Sequence, residues 1–147
     1  MAGDDRTTAD HLALLTQLAN APQRFGFFEA LRWLECAFAD RPRIGYATRP
    51  VEESLRIGQT PSLAFAASSL DSFQRSKQGE TWRLQVLCFG MFGPNGPLPT
   101  AITEYAYERG HLHRDATLGR FIDIFEHRLA TLFYRAWADA QPTVQAD

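Results

Sequence analysis

The segment Thr117–Ala138, TLGRFIDIFEHRLATLFYRAWA, constrains the fold most. Leu118, Phe121, Ile122, Phe125, Leu129, Leu132, Phe133 and Ala136 recur at helical spacing and fill a wide apolar stripe. Ile124, Tyr134 and Trp137 carry apolar surface further round. A helix this apolar needs cover on more than one side. Either it is central to a domain, or part of it meets a partner.

The rest of the chain reads as shorter elements. Helices are expected over about Thr8–Ala19, with Ala21-Pro22 at its end, and over about Phe25–Ala39, with Phe27, Phe28, Leu31, Leu34 and Phe38 on one face. Ser54–Gly58 and Leu63–Ala66 read as short strands, and Ser68–Gly79 as a polar, exposed segment containing a mobile SFQRSKQG loop. Thr81–Phe89 is the clearest strand: Trp82, Leu84, Val86 and Cys88 share one face, Arg83 and Gln85 the other. Another helix is expected from a Thr100 cap to Arg109, with Gly110 at its C-terminal end. The expected fold class is α+β, about four helices packed on a small antiparallel sheet. At 147 residues the chain fits a single domain, 1–147, with flexible ends over 1–7 and 141–147.

Between strand and helix lies FGMFGPNGPLP, Phe89–Pro99. A phosphate cradle aims backbone N–H groups at an anion, but Pro94, Pro97 and Pro99 have none, and no GxxxxGK[ST] spacing is present. A PxxP ligand wants an extended exposed segment, whereas Asn95-Gly96 favours a turn. The residues Phe92, Gly93, Pro94, Asn95, Gly96, Pro97, Leu98 and Pro99 therefore read as a rigid corner, with Phe92 and Leu98 pinning it to the core.

Candidates for chemistry are few. His111 and His113 lack the i,i+3 or i,i+4 spacing of helical metal ligands, and no HExxH is present. Asp123 and His127 stand i,i+4, as an acid–base dyad would, and equally as a polar helix face with local pairs would. No GxSxG elbow accompanies them. Cys36 and Cys88 lie outside any CxxC motif and read as buried thiols of a reducing compartment. Arg41, Arg43, Tyr46 and Arg49 form a basic-aromatic cluster, but a net charge of -2 argues against a nucleic-acid footprint. Protein contact or internal ion pairing suits this cluster better. No cofactor or metal is expected. The N-terminus lacks a secretory signal and no run of about 18 apolar residues occurs, so a cytoplasmic chain without a membrane span is expected.

Several segments together resemble the N-terminal half of the TssG family (also called ImpH or VasB) of the bacterial type VI secretion system. They are RFGFFEALRWLE at 24–35, RPRIGYATRP at 41–50, LRIGQTPSLAFA at 55–66, FGMFGPNGPLPTAITEYAYER at 89–109 and FIDIFEHRLATLFYRAWADAQP at 121–142. The GPNGPLP-x3-TEYA run is the most specific of these. Family members are about twice this length, and 141–147 falls where their sequence continues. The resemblance implies a non-enzymatic subunit of the baseplate wedge, a part of the contractile injection machinery. It implies assembly with two copies of TssF, with TssE and with the TssK adaptor, at the cytoplasmic face of the inner membrane. Arg41, Arg43, Tyr46, Arg49, Phe133, Tyr134 and Trp137 are the candidate partner interface. The competing reading is a small hydrolase or metal-binding enzyme using the His111, His113 and His127 region.

Overall fold

The computed structural model describes residues 4–76 and 81–145. Helix α1 (Asp4–Asn20) is followed by a 3-10 turn at Pro22–Arg24 and helix α2 (Phe27–Ala37). A connecting segment containing a second 3-10 turn at Pro50–Glu52 leads to strands β1 (Leu55–Gln59), β2 (Leu70–Arg75) and β3 (Trp82–Val86). Helices α3 (Thr100–Leu112), α4 (Thr117–Asp139) and the short α5 (Pro142–Gln145) complete the order. The class is α+β, as expected. The sheet has the order β1-β3-β2, with β2 antiparallel and β1 parallel to the central β3.

Several boundaries differ from the sequence reading. Leu63–Ala66 forms no strand and Phe65 is exposed. The second strand is instead drawn from the polar segment after Ser68, where Leu70 and Phe73 supply its buried side chains. Two apolar residues suffice there because one face is solvated and a bulge between Leu70 and Ser72 resets the alternation. Of the predicted mobile loop, Ser72–Arg75 lies in this strand, and 77–79 lies outside the described residues. The alternation of β3 holds over Trp82–Val86, and the strand stops before Cys88. Both cysteines are free and exposed, against the expectation of burial. Helix α3 runs through Gly110 to Leu112, and Pro99 rather than Thr100 occupies its N-cap position without a side-chain cap. Of the predicted flexible ends, 1–3 and 146–147 lie outside the described residues, while α5 places Val144 in the core.

The core joins one sheet face to α1, α2 and α4. Leu55, Ile57, Leu70, Phe73, Leu84 and Val86 meet Leu18, Leu31, Leu34, Ala130 and Tyr134. Glu35 ties three elements together: it accepts hydrogen bonds from Ile44 N–H at 3.1 Å and from the Tyr134 hydroxyl at 3.0 Å, and pairs with Arg32. Aromatic rings extend the join, with Phe28 stacked on Trp137 at 4.7 Å and Phe89 on Phe133 at 4.9 Å.

The contact between α4 and edge strand β1 is polar. Ile57 N–H donates to His127 Nδ1 at 3.1 Å, and Gln59 N–H donates to Asp123 Oδ1 at 3.1 Å. Four helical residues rise about 6 Å and two strand residues about 6.6 Å, so an i,i+4 pair can reach alternate amides of a strand. The approach is close: a Cβ on Gly58 would lie 2.5 Å from Asp123 Oδ1. We expect Gly58→Ala to cost about 1–3 kcal/mol in denaturant unfolding, as overpacking does. In an Asp123→Ala background, where the obstructing carboxylate is gone, the same substitution should cost much less.

Candidate functional site

The residues facing solvent on α4 are not those its periodicity suggests. Buried positions are Ile122, Glu126, His127, Ala130, Thr131, Tyr134 and Ala138, a run of small and polar residues. Phe121 is 55% exposed, Ile124 66%, Phe125 49%, Leu129 48% and Phe133 44%. The small side chain of Ala130 is buried where the helix lies close against β1, while the bulky stripe points outward. Phe121 and Phe125 contact edge to face, with ring centroids 5.5 Å apart. The exposed side chains form an aromatic and aliphatic surface along one side of the helix.

The glycine-proline segment frames one end of this surface. The Gln59 side-chain amide grips Phe92 from both sides: its Nε2 donates to Phe92 O at 2.9 Å and its Oε1 accepts Phe92 N–H at 2.7 Å. Gly93 N–H donates to Thr103 Oγ1 at 3.1 Å, and Leu98 N–H returns to Met91 O at 3.2 Å. Gly90, at φ +151, leaves room for the Gln59 amide that a Cβ would occupy. Phe92 is buried and packs with Ala106 and Ile122, while Pro94, Asn95 and Pro97 face solvent. Gln59, which supplies this clamp, lies just past the expected strand Ser54–Gly58 and is the last residue of the observed β1.

Beneath the segment lies a cleft of about 620 Å³, bordered by Phe65, Met91, Phe92 and Leu129. Glu126 lines it, fully buried; the Met91 backbone N–H is directed at its carboxylate without reaching full hydrogen-bond geometry, and no other donor among the described residues meets it. Burial, reinforced by the charge of Asp123, pushes its pKa up to about 7, with the Met91 backbone amide acting in the opposite direction. The sequence held one clue to its position. Ile122, Glu126, Ala130 and Tyr134 lie four apart, so Glu126 shares a helix face with the apolar Ile122 and Ala130 and the aromatic Tyr134.

The remaining predicted residues are largely engaged within the chain. Arg43 Nη2 donates to Val144 O at 2.7 Å, Arg41 Nη1 to Val51 O at 3.2 Å, and the Tyr46 hydroxyl to Asp139 Oδ1 at 2.8 Å. Arg135 lies over the Tyr46 ring, 4.2 Å from its centroid. The 41–50 segment is thereby fastened to the C-terminal helices. Arg49 is exposed, with Pro50 starting the adjacent 3-10 turn. Of the α4 candidates, Phe133 packs on Phe28 and Phe89 and keeps only part of its ring exposed, Trp137 is half-buried on Phe28, and Tyr134 is fully buried against Glu35. Tyr134 thus has no surface left for a partner.

The histidines do not converge on one another. His111 stacks on Tyr107 at 4.0 Å, and His113 is the exposed C-cap residue of α3. His127 is buried and its pKa is lowered by desolvation, against the pull of Glu53, so the ring is held neutral and accepts the Ile57 amide at Nδ1. Its Nε2 then carries the proton and lies 3.0 Å from Glu53 Oε1, close but without hydrogen-bond alignment. Asp123 divides its oxygens between Gln59 N–H and Arg83, the latter at 3.0 Å. Burial raises its pKa, and these two partners oppose the shift. The i,i+4 pair is therefore a clasp on β1. Among the described residues no group of three or more His, Cys, Asp or Glu side chains could hold a metal ion.

Fold and surface together define an α+β protein that turns an apolar helix face and a clamped glycine-proline corner toward solvent. The sequence model of the family described as Type VI secretion, TssG, matches residues 21–147. The chain belongs to the TssG family and is a component of type VI secretion. No curated protein and no solved structure gives a significant match.

Glu126 has a consequence for stability. Its folded pKa of about 7 stands above the ordinary 4.5, so the native state holds a proton that the unfolded chain has released between these values. Its contribution to stability is full below pH 4.5, is lost as pH rises, and is gone above about pH 7. We expect Glu126→Gln to gain on the parent protein across this window, by about 3 kcal/mol in total. Urea unfolding of both proteins at pH 5 and pH 8 measures the difference; a constant offset would contradict the assignment.

Proposed function

We propose that the chain is a non-enzymatic structural subunit of the type VI secretion baseplate wedge, acting by docking with other baseplate proteins so that the contractile tail can assemble. The observation that carries this is the outward stripe of Phe121, Ile124, Phe125, Leu129 and Phe133 on a helix whose opposite face is already packed, in a chain of the TssG family. Isolated, such a stripe costs solubility; in an assembly it supplies the apolar centre of an interface. The partners proposed are TssF, in two copies, with TssE and the TssK adaptor, at the cytoplasmic face of the inner membrane. No nucleic-acid contact and no membrane insertion form part of this reading; no helix among the described residues is long and apolar enough to cross a membrane.

Nothing favours the hydrolase reading. His127, its best candidate base, is committed to the β1 backbone, and His111 and His113 lie on the exposed end of a different helix.

Co-expression with TssF from the same gene cluster, followed by sizing with light scattering, tests the proposal. A stable complex with two TssF copies is expected. Phe125→Asp combined with Leu129→Asp should abolish or strongly weaken it while leaving the thermal midpoint of the isolated chain unchanged or higher, since both side chains are about half exposed. A complex indifferent to these substitutions would move the interface off α4.

A further inference from the structure

The cleft beneath the glycine-proline segment combines features that an ordinary core lacks. Phe65, Met91 and Leu129 give its lining apolar surface beside the polar Thr60, Ser62 and Asn95. Its floor carries Glu126, buried, with neither oxygen in a full hydrogen bond among the described residues and only the Met91 backbone N–H directed at it. The cation on the neighbouring Asp123, Arg83, is bonded to that carboxylate. A buried carboxylate without a partner is costly, and its neutral alternative still leaves a hydroxyl and a carbonyl oxygen unsatisfied. Two free oxygens in one plane match the two parallel N–H groups of a guanidinium, whose flat faces also suit an apolar slot. An ammonium would satisfy one oxygen at a time and would surrender a tighter hydration shell. The cleft opens beside Leu129, so it is continuous with the exposed stripe of α4. Entry requires the lining to yield, and Met91, with its flexible side chain, borders the way in.

We propose that this cleft is an arginine-accepting site: a partner protein docked on the α4 face inserts one arginine, flanked by apolar residues, whose guanidinium pairs with both oxygens of Glu126. This rests on the reading of α4 as a docking surface, and names the chemistry of what docks there. The pairing supplies specificity that an apolar stripe by itself lacks, because a partner without the cation would leave Glu126 buried and unsatisfied.

The site can be probed without any partner protein. Benzylguanidinium is the probe and benzylurea, of nearly equal shape and neutral, its control. Each is titrated at pH 8 into protein labelled at the methyl groups of methionine and leucine, and the Met91 and Leu129 resonances are followed. Benzylguanidinium should shift both saturably with a dissociation constant in the low millimolar range, well inside the ceiling for a ligand of this size. Benzylurea should bind about tenfold or more weakly, the difference a charge-assisted hydrogen bond makes. Glu126→Gln, expected to fold at least as well as the parent, should bring the two probes to equal affinity. Equal binding of both probes to the parent, a guanidinium preference that survives Glu126→Gln, or no saturable shift at Met91 and Leu129 would each overturn the proposal. Failure of the probes with an intact TssF complex would remove the arginine site alone. Probe selectivity without any TssF complex would uphold the site and count against TssF as the docked partner.

Discussion

An edge strand of a three-stranded sheet carries backbone N–H groups with no further strand to receive them, and here α4 receives them. Asp123 and His127 take the amides of Gln59 and Ile57 on the outer side of β1. The arrangement fixes the helix in two ways at once. It sets the axial position, because only one placement brings both side chains opposite alternate amides. It also sets the rotation, because the face bearing Asp123 and His127 must look at the strand. Satisfying buried backbone donors outranks burying a few more methylenes, since an unpaired amide costs about as much as a buried aliphatic side chain gains.

The outward display of the apolar stripe follows from that rotation. With Ile122, Glu126, Ala130 and Tyr134 turned inward, Phe121, Phe125 and Leu129 have nowhere to go but the surface. The same rotation places Glu126 at the floor of the cleft. It sits one residue before His127, on the inward side, so the clasp on β1 and the unsatisfied carboxylate come from a single helical setting. Gln59 links this to the corner. Its backbone is held by Asp123 while its side chain holds Phe92, so β1, α4 and the glycine-proline segment form one continuous hydrogen-bonded unit. A docking face assembled from α4 and that corner would be rigid before any partner arrives, which reduces the ordering cost of association.

Much of the architecture was legible in the residues. The helical period of α2 and α4, the alternation of Trp82–Val86 and the turn chemistry of Asn95-Gly96 are local signals, and local signals predict local elements. Leu63–Ala66 misled because a short apolar run carries no information about whether a neighbouring strand exists to pair with it. The polar strand around Phe73 was missed for the converse reason: pairing with β3 recruits a segment whose own preference is weak. Residue type alone does not separate Tyr134 from its neighbours Phe133 and Trp137 as interface candidates on α4. The hydroxyl contact with Glu35, ninety-nine residues earlier, decides its burial.

The sequence by itself determined the helices α2 and α4 and the strand at Trp82–Val86, that α4 carries more apolar surface than one flank of a small domain can cover, and that the chain resembles TssG. These are matters of spacing and residue type along the chain. Only the tertiary structure decided which side of α4 is covered, that Asp123 and His127 clasp a strand edge, and that Glu126 is left buried without a partner. Those depend on a balance between packing bulk and satisfying backbone amides far away in sequence. Periodicity counts hydrophobic residues, but it does not register the hydrogen-bond donors of a strand the helix has yet to meet.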